Sequence, residues 1–557
     1  MDILPKSCQR RGSTPAFATK MFMRTKPFTT HSRAIRPFVL LAVILGVQAI
    51  STSGATLDTI GVNLLRTVTT NLNGAGIRVA QVEGIDAAGT PPHFEVNPAH
   101  PNVNNSASLF VYHSSLGSAT NYPNSVGVQS FHADGVAQVF FGSPDGVATN
   151  ISRVDNFEAD HFLDLFISPS IATNPGAPII NQSFTFGPQS VAFQQSVDSA
   201  YDDTAAQFGT LYITGAGNAG AVETPATCYN GIGVAAFLGA SSTGPTPDNG
   251  RCKPDITAPA PATSFSTPLV AGGAAILRQA GLRGDGGSDT NSAVDLRTLK
   301  ALLLNGAVKL NNWTNGPSTP LDARYGSGVL NVFNSYMQLA GGKHGAIESA
   351  NIATNSAHPP GSNPGNIGAL SGWNFSSLTS SLANDRVSHH YFNVTNGLSN
   401  VLFTVTATLA WNRQQNKTNI NDLDLFLYNT ANSNLIAQSI SGVDNVEHIY
   451  TNVPPGRYDL QVWKAGGNTA NGNITGSETY ALAWEFFALP LNLTTSNANA
   501  IVTWPIYPTG FSLQATPSLT GPTWTTLYLA RTIANGTNRV EVPLNSSNQF
   551  FRLLRPD

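Results

Sequence analysis

The segment PATSFSTPLV, residues 261–270, places a reactive serine where a turn ends and a run of small apolar residues begins. Ser264 therefore stands at the predicted start of a helix. A serine in the first turn has an exposed hydroxyl, and its backbone N–H has no acceptor within the helix. Because the helix dipole favours negative charge at this end, the segment predicts a site that suits an oxyanion.

Strands and helices alternate in the region that must position this serine. Short apolar runs predict buried strands at 76–84, 177–184, 210–220 and 231–237, and helical patterns lie at 134–142 and 189–209. This alternation predicts an α/β domain with a doubly wound, mostly parallel sheet. Ligands bind such sheets at the carboxyl ends of the strands. Glu83, Ser183 and Asn218 all fall at or just after those ends.

Several segments are similar to those of the subtilisin-like serine proteases, in the order that family has them. TSFSTPLVAGGAA resembles the nucleophile motif, in which Gly-Thr-Ser opens a helix and a proline follows four residues later, here Pro268. The other similar segments are VAQVEGID (79–86), SFHADGVAQV (130–139), IINQSF (179–184), ITGAGNAG (213–220) and SSTGPTPDNGRCKPDITAP (241–259). The resemblance extends over roughly residues 59–342. It implies a serine endopeptidase with a subtilisin-like fold and a protein or peptide substrate.

The resemblance assigns a role to each candidate residue. Ser264 is the nucleophile, and His132 is the general base because its ordinary pKa suits proton exchange near neutral pH. Glu83 is the carboxylate that orients the imidazole. Asn218 supplies the side-chain amide of the oxyanion hole, and Ser183 lies beside the specificity pocket. This chemistry requires no cofactor or catalytic metal, and structural calcium is left open.

Departures from the family pattern keep alternatives open. Glu83 stands where the family has aspartate, and Asp86 competes for the same role. Ala262 replaces a glycine, and only three residues separate Pro259 from Thr263, where subtilases have a longer loop. The alternative function is a binding or adhesion protein built on a catalytically degenerate subtilase scaffold. The sedolisins also use glutamate, but they have no histidine base and place aspartate at the oxyanion position.

The C-terminal part of the chain has a different pattern. A linker rich in Gly, Pro, Ser and Asn is predicted at 346–372, after a catalytic domain at 56–345. Period-two alternation then predicts a β-sandwich at 373–490, which resembles jelly-roll domains of bacterial secreted proteases. Residues 491–557 are expected to form a small β module. These β domains are candidates for contact with a surface or polymer.

Composition and the N-terminus indicate export. Charged residues make up 11% of the chain and the net charge is −3, so no basic surface for nucleic acid is expected. Arginines and a lysine precede an apolar run from Phe38 to Ala49, which predicts a signal peptide within residues 1–55. We expect a secreted protein that is free of the membrane after signal cleavage, with bacterial cell-surface association left open.

Two cysteines, Cys228 and Cys252, follow the predicted signal peptide. A single pair in an exported protein predicts a disulfide between them, and two buried free thiols are the alternative.

Overall fold

The computed structural model describes residues 54–168, 173–352, 365–379, 385–395, 401–464, 476–544 and 548–554. Nearly all of the predicted signal peptide lies outside these ranges. Within them, no helix combines the length and the hydrophobicity that crossing a membrane requires.

Residues 54–340 contain all the α-helices of the described chain. They are α1 (Gly54–Thr59), α2 (Val62–Val68), α3 (Phe131–Phe140), α4 (Ala159–Phe162), α5 (Val191–Phe208), α6 (Thr263–Arg283), α7 (Thr290–Ala293), α8 (Leu296–Asn305) and α9 (Val332–Ala340). A 3₁₀ turn spans Ala107–Leu109, and a π-helical turn spans Leu163–Ile167.

Ten strands belong to the same part of the chain. They are β1 (Arg78–Glu83), β2 (His93–Glu95), β3 (Phe110–Ser114), β4 (Gly117–Ala119), β5 (Val128–Gln129), β6 (Arg153–Glu158), β7 (Ile179–Gln182), β8 (Leu211–Gly215), β9 (Ile232–Ala236) and β10 (Ile256–Ala258). β2 and β5 form a separate two-stranded sheet.

The central sheet has eight strands in the order β10-β9-β8-β7-β1-β6-β3-β4. All neighbouring pairs are parallel except β3 and β4. The chain passes from β1 to one side of the sheet through β3 and β6, and then returns to the other side at β7. The predicted doubly wound α/β fold is confirmed, and β1 lies at the point where the strand order reverses.

The buried surfaces of these elements explain why the sheet forms. β7, β8, β9 and β10 are buried throughout, as strands covered on both faces must be. α6 packs against them with most of its length buried, and an added Cβ at Gly272 would lie only 2.5 Å from the Val147 side chain. α6 therefore needs this glycine to approach its neighbours closely.

After α9, the regular elements of the described residues are all β-strands, arranged in four sheets. In spatial order, the first sheet consists of β11 (Glu348–Ile352), β13 (Asp385–Val394), β18 (Gly456–Lys464), β15 (Leu423–Asn429) and β16 (Asn434–Ser439). The second sheet consists of β12 (Ser371–Thr379), β19 (Ser477–Phe487), β14 (Phe403–Trp411) and β17 (Val446–Val453). The third sheet consists of β20 (Asn492–Ser496), β21 (Asn499–Pro505), β25 (Thr537–Pro543) and β24 (Arg531–Ala534). The fourth consists of β23 (Thr525–Thr526), β22 (Ser512–Thr516) and β26 (Phe550–Leu554).

One of these strands lies inside the stretch predicted as a linker. Residues 348–352 form β11, which pairs antiparallel with β13 at the edge of its sheet. The sequence ESANI has no period-two apolar pattern, so the strand is defined by its backbone pairing with β13. Residues 348–352, within the predicted linker of 346–372, thus form a strand, and the domain boundaries stay predictions.

Cys228 and Cys252 are both free thiols, so the predicted disulfide between them is not formed. Cys228 is buried against Gly231 in the main core, and Cys252 lies at the edge of that core, where its backbone N–H donates to Asp444 of the β region over 2.7 Å. Burial raises the pKa of Cys228 to about 12, and burial together with Asp444 raises the pKa of Cys252. Both thiols are therefore held in the protonated, unreactive form.

Candidate active site

The carboxyl ends of β1, β7 and β8 lie side by side. Val82 of β1 is level with Gln182 of β7, which is level with Thr214 of β8. The next residues along the chain are Glu83 and Ser183, and Asn218 follows β8 after a short turn. Three predicted site residues therefore meet at one edge of the sheet, beside the strand where its order reverses.

His132 and Glu83 form a direct hydrogen bond. His132 is the second residue of α3, whose start is capped by the Ser130 hydroxyl accepting from Ala133 N–H over 3.1 Å. The imidazole Nδ1–H donates to Glu83 Oε2 over 2.7 Å, and Glu83 is almost completely buried. Gln81 Nε2 donates to the other carboxylate oxygen over 2.8 Å and to the Ala133 carbonyl over 2.9 Å. Gln81 thereby links the carboxylate to the helix that carries the histidine.

The environment of His132 favours its charged form. Burial alone lowers the pKa of His132, but the charge and hydrogen bond of Glu83, with a smaller effect of Asp86, raise it above the ordinary value. Asp86 acts on His132 only through its charge, whereas Glu83 bonds the ring directly. Of the two carboxylates that the sequence left open, the structure brings Glu83 to Nδ1.

Ser264 is the second residue of α6 and is partly exposed. Its hydroxyl donates to the Ser183 carbonyl over 3.4 Å, and no hydrogen bond joins it to His132. Phe265 lies near the imidazole, with ring centroids 6.0 Å apart, and packs on α3 where an added Cβ at Gly135 would be 3.0 Å away. Gly135 therefore allows the starts of α3 and α6 to approach closely.

Asn218 is held by the first turn of α6. Its Oδ1 accepts from the Thr263 N–H over 2.9 Å and from the Thr263 hydroxyl over 3.0 Å. Ala262, the residue before the helix, has no side-chain acceptor, so Asn218 replaces the missing cap. Since Oδ1 is used in this way, the amide Nδ2 points away from Thr263 and is left as a donor.

The Ser183 hydroxyl has a structural partner. Pro268 has no N–H, so the carbonyl of Ser264, four residues earlier in α6, has no donor within the helix. The Ser183 hydroxyl donates to that carbonyl over 2.8 Å. Sequence reasoning placed Ser183 beside the specificity pocket; the structure uses its side chain to join β7 to α6.

The short turn before Ser264 is tightly packed. An added Cβ at Gly239 would lie 1.9 Å from the Pro261 carbonyl oxygen, so the backbones of these two residues are in direct contact. Leu238, beside this turn, and Phe131, beside His132, are both largely exposed. The site thus has an apolar side chain on each flank, and the shortened loop leaves Leu238 uncovered.

Sequence reasoning missed Gln81 and a second carboxylate close to the site. Gln81 and Glu83 are two residues apart on β1 and so share one face of the strand, a pattern that period-two analysis of the strand can detect. Glu223 hydrogen-bonds the Thr185 hydroxyl beside Gly217. Thr185 and Glu223 are 38 residues apart in the sequence, and no local pattern links them.

No metal site is apparent in the part of the chain that the structure describes, where no three His, Cys, Asp or Glu side chains are grouped to hold an ion. Structural calcium stays a prediction.

Residues 166–328 match the model of the Subtilase family. The matched range contains Ser183, Asn218 and Ser264, and it confirms the predicted resemblance to the subtilisin-like proteases. Glu83 and His132 precede the matched range. This match supports a serine peptidase.

Three solved structures are similar to about half of the chain. The protease domain of PatA has a TM-score of 0.34 and 23% identity, over 49% of this chain and 98% of that chain. The prenylagaramide maturation protease PagA has a TM-score of 0.34 and 21% identity, over 51% of this chain and 99% of that chain. The PatG macrocyclase in complex with peptide has a TM-score of 0.36 and 16% identity, over 53% of this chain and 99% of that chain. A search of curated proteins found no match.

Proposed function

We propose that this protein is an exported serine endopeptidase that cleaves polypeptides by acyl transfer through Ser264. The observation that carries the proposal is the hydrogen bond from His132 Nδ1 to the buried Glu83 carboxylate. This bond fixes the ring so that Nε2 is the atom left to accept a proton. We also propose that residues 56–345 form the catalytic domain and that the β domains bind substrate or a surface.

The reaction begins with rotation of the Ser264 side chain away from the Ser183 carbonyl toward His132. The Ser264 oxygen attacks the substrate carbonyl carbon while its proton passes to His132 Nε2, and Glu83 stabilises the resulting imidazolium. Asn218 Nδ2 and the Ser264 N–H stabilise the oxyanion. His132 then protonates the leaving amine. Water next attacks the carbonyl carbon of the acyl-enzyme while His132 accepts its proton, and His132 returns that proton to the Ser264 oxygen as the acid product leaves.

Labelling with a fluorophosphonate probe tests the proposal directly, because only an activated serine reacts with it. We expect the folded protein to be labelled, Ser264→Ala to lose labelling completely and Glu83→Gln to react much more slowly. Ser266→Ala is the matched control, since Ser266 lies in the same helix and its hydroxyl donates to the Thr263 carbonyl. Absence of labelling in the folded wild type would instead favour the binding or adhesion scaffold.

A further inference from the structure

A cavity of about 140 Å³ adjoins Asn218. One wall is formed by residues 219–224, which follow Asn218 directly, and the other by 187–189, which follow Ser183 and β7. The Phe186 N–H donates to the Thr224 carbonyl over 3.0 Å and ties the two walls together. A single water needs only about 10–15 Å³, so the cavity can admit a side chain.

Its position relative to the oxyanion site identifies which side chain would enter. In the proposed reaction, the substrate carbonyl oxygen binds between Asn218 Nδ2 and the Ser264 N–H. The side chain of the residue that contributes this carbonyl is attached one bond away, at the neighbouring Cα. A cavity whose wall continues directly from Asn218 is therefore placed for the residue on the acyl side of the cleaved bond.

Glu223 gives this cavity its chemistry. Glu223 Oε2 accepts a hydrogen bond from Thr185, and an added Cβ at Gly217 would lie 3.2 Å from that oxygen. The carboxylate thus sits against the residue that precedes Asn218. Burial raises the pKa of Glu223 and the Thr185 hydrogen bond partly offsets this, so an incoming cation would favour the ionised form.

Three other buried carboxylates of residues 54–340 have cationic partners, whereas Glu223, like Glu95, forms no ion pair with a Lys, Arg or His of the described chain. Asp198 pairs with Arg251, Asp202 with Arg413, and Asp255 with Lys253 and Lys300. These three carboxylates are neutralised by the protein itself, whereas the Glu223 carboxylate at the cavity has no counterion.

A second polar group in the cavity also lacks a partner. Gln194, on α5, is only 4% exposed and lines the cavity, and its Nε2 has no hydrogen-bond acceptor. A half-turn of its terminal amide would present the oxygen to a donor instead. Buried amide groups normally have partners, so the unpaired Gln194 amide is available to a polar group that enters this cavity.

We propose that this cavity binds a lysine or arginine side chain on the acyl side of the cleaved bond, with Glu223 as the residue that selects it. This inference rests on the proposed peptidase function. The ammonium or guanidinium group pairs with the Glu223 carboxylate, and the Gln194 amide oxygen accepts a further hydrogen bond. Glu223 is a specificity residue and takes no part in the bond-breaking steps.

Peptides that differ only at this residue test the selection. We expect kcat/KM to be at least tenfold higher for arginine and lysine than for citrulline and norleucine, their neutral counterparts. Glu223→Gln should remove this preference, with the larger loss of kcat/KM for the arginine and lysine peptides. Glu348→Gln is the control, because it removes one exposed negative charge on β11. A preference that survives in Glu223→Gln, or a wild type that favours neutral residues, would overturn the inference.

Binding to the Ser264→Ala variant separates this inference from the peptidase proposal. We expect benzamidine, a cation, to bind at least tenfold more tightly than neutral benzamide by calorimetry, and the double variant with Glu223→Gln to lose the difference. Should wild type hydrolyse no peptide while this charge preference persists, only the peptidase proposal fails. Equal binding of the two probes would refute the cation site whatever the activity.

Discussion

The Ser183 hydroxyl donates a hydrogen bond to the backbone carbonyl of Ser264 over 2.8 Å, joining the end of β7 to the first turn of α6. Pro268 creates the need for this bond because it removes the helical donor for that carbonyl. Ser264, the proposed nucleophile, is therefore positioned through its own backbone. The position of β7 determines the position of Ser264 relative to the sheet.

Ser183→Ala should lower the free energy of unfolding by about 1–3 kcal/mol, because the Ser264 carbonyl loses its donor. Pro268→Ala restores an N–H four residues after Ser264. Adding Pro268→Ala to Ser183→Ala should therefore recover part of the loss. Denaturant unfolding of the two single variants and the double variant measures this coupling. Strictly additive effects would contradict a shared role of the two residues at this carbonyl.

Asn218 combines a stabilising role with a proposed catalytic one, and two substitutions separate them. Asn218→Ala should lower kcat by about 10²–10³ and cost about 1 kcal/mol of stability, since it removes both the oxyanion donor and the acceptor for Thr263. Asn218→Asp keeps an acceptor for the Thr263 N–H and should retain stability while losing the rate. Calorimetric unfolding and peptide hydrolysis measure the two effects. Full activity of a folded Asn218→Asp would exclude the oxyanion role.

Four strands of the sheet and their parallel arrangement could be predicted because they follow from local patterns, whereas β3, β6, β10 and the strand order were not predicted. Buried apolar runs identified β1, β7, β8 and β9, and the helical pattern at 189–209 corresponds to α5 at Val191–Phe208. Parallel strands present their carboxyl ends at one edge, so residues at those ends were expected to meet. Glu83, Ser183 and Asn218 do lie there.

The contacts between side chains could not be predicted, since they depend on rotamers and on segments distant in sequence. Ser183 and Ser264 are 81 residues apart, and nothing local indicates that Pro268 directs the Ser183 hydroxyl to a backbone carbonyl. The pairing of Cys228 with Cys252 was wrong for a similar reason. Counting cysteines carries no information on the separate surroundings in which each thiol lies.

The dependence of activity on pH should report the Glu83–His132 pair. His132 must be neutral to accept a proton, and Glu83 raises the pKa of His132 above its ordinary value of about 6.5. Activity should therefore increase with pH through a midpoint above that value. In Glu83→Gln the effect of burial is no longer outweighed, so the midpoint should move to lower pH while the maximal rate falls. A profile of kcat/KM measures both, and an unchanged midpoint in Glu83→Gln would contradict the pairing.

Glu95 should make the stability of the domain depend on pH. It is fully buried on β2, and neither carboxylate oxygen has a hydrogen-bond partner. Burial raises the pKa of Glu95 to about 7. Folding therefore favours the protonated acid, and this stability is complete below the ordinary pKa of about 4.5 and is lost as pH rises through about 7.

Glu95→Gln keeps the shape of the protonated side chain but cannot ionise. We expect it to raise the free energy of unfolding at pH 8 by on the order of 2 kcal/mol and to change it little at pH 4. Glu348→Gln, which alters an exposed carboxylate, is the control and should have little effect at either pH. Denaturant unfolding across this pH range measures the difference. If Glu95→Gln were equally stabilising at both values, its effect would come from packing and ionisation of Glu95 would not be its cause.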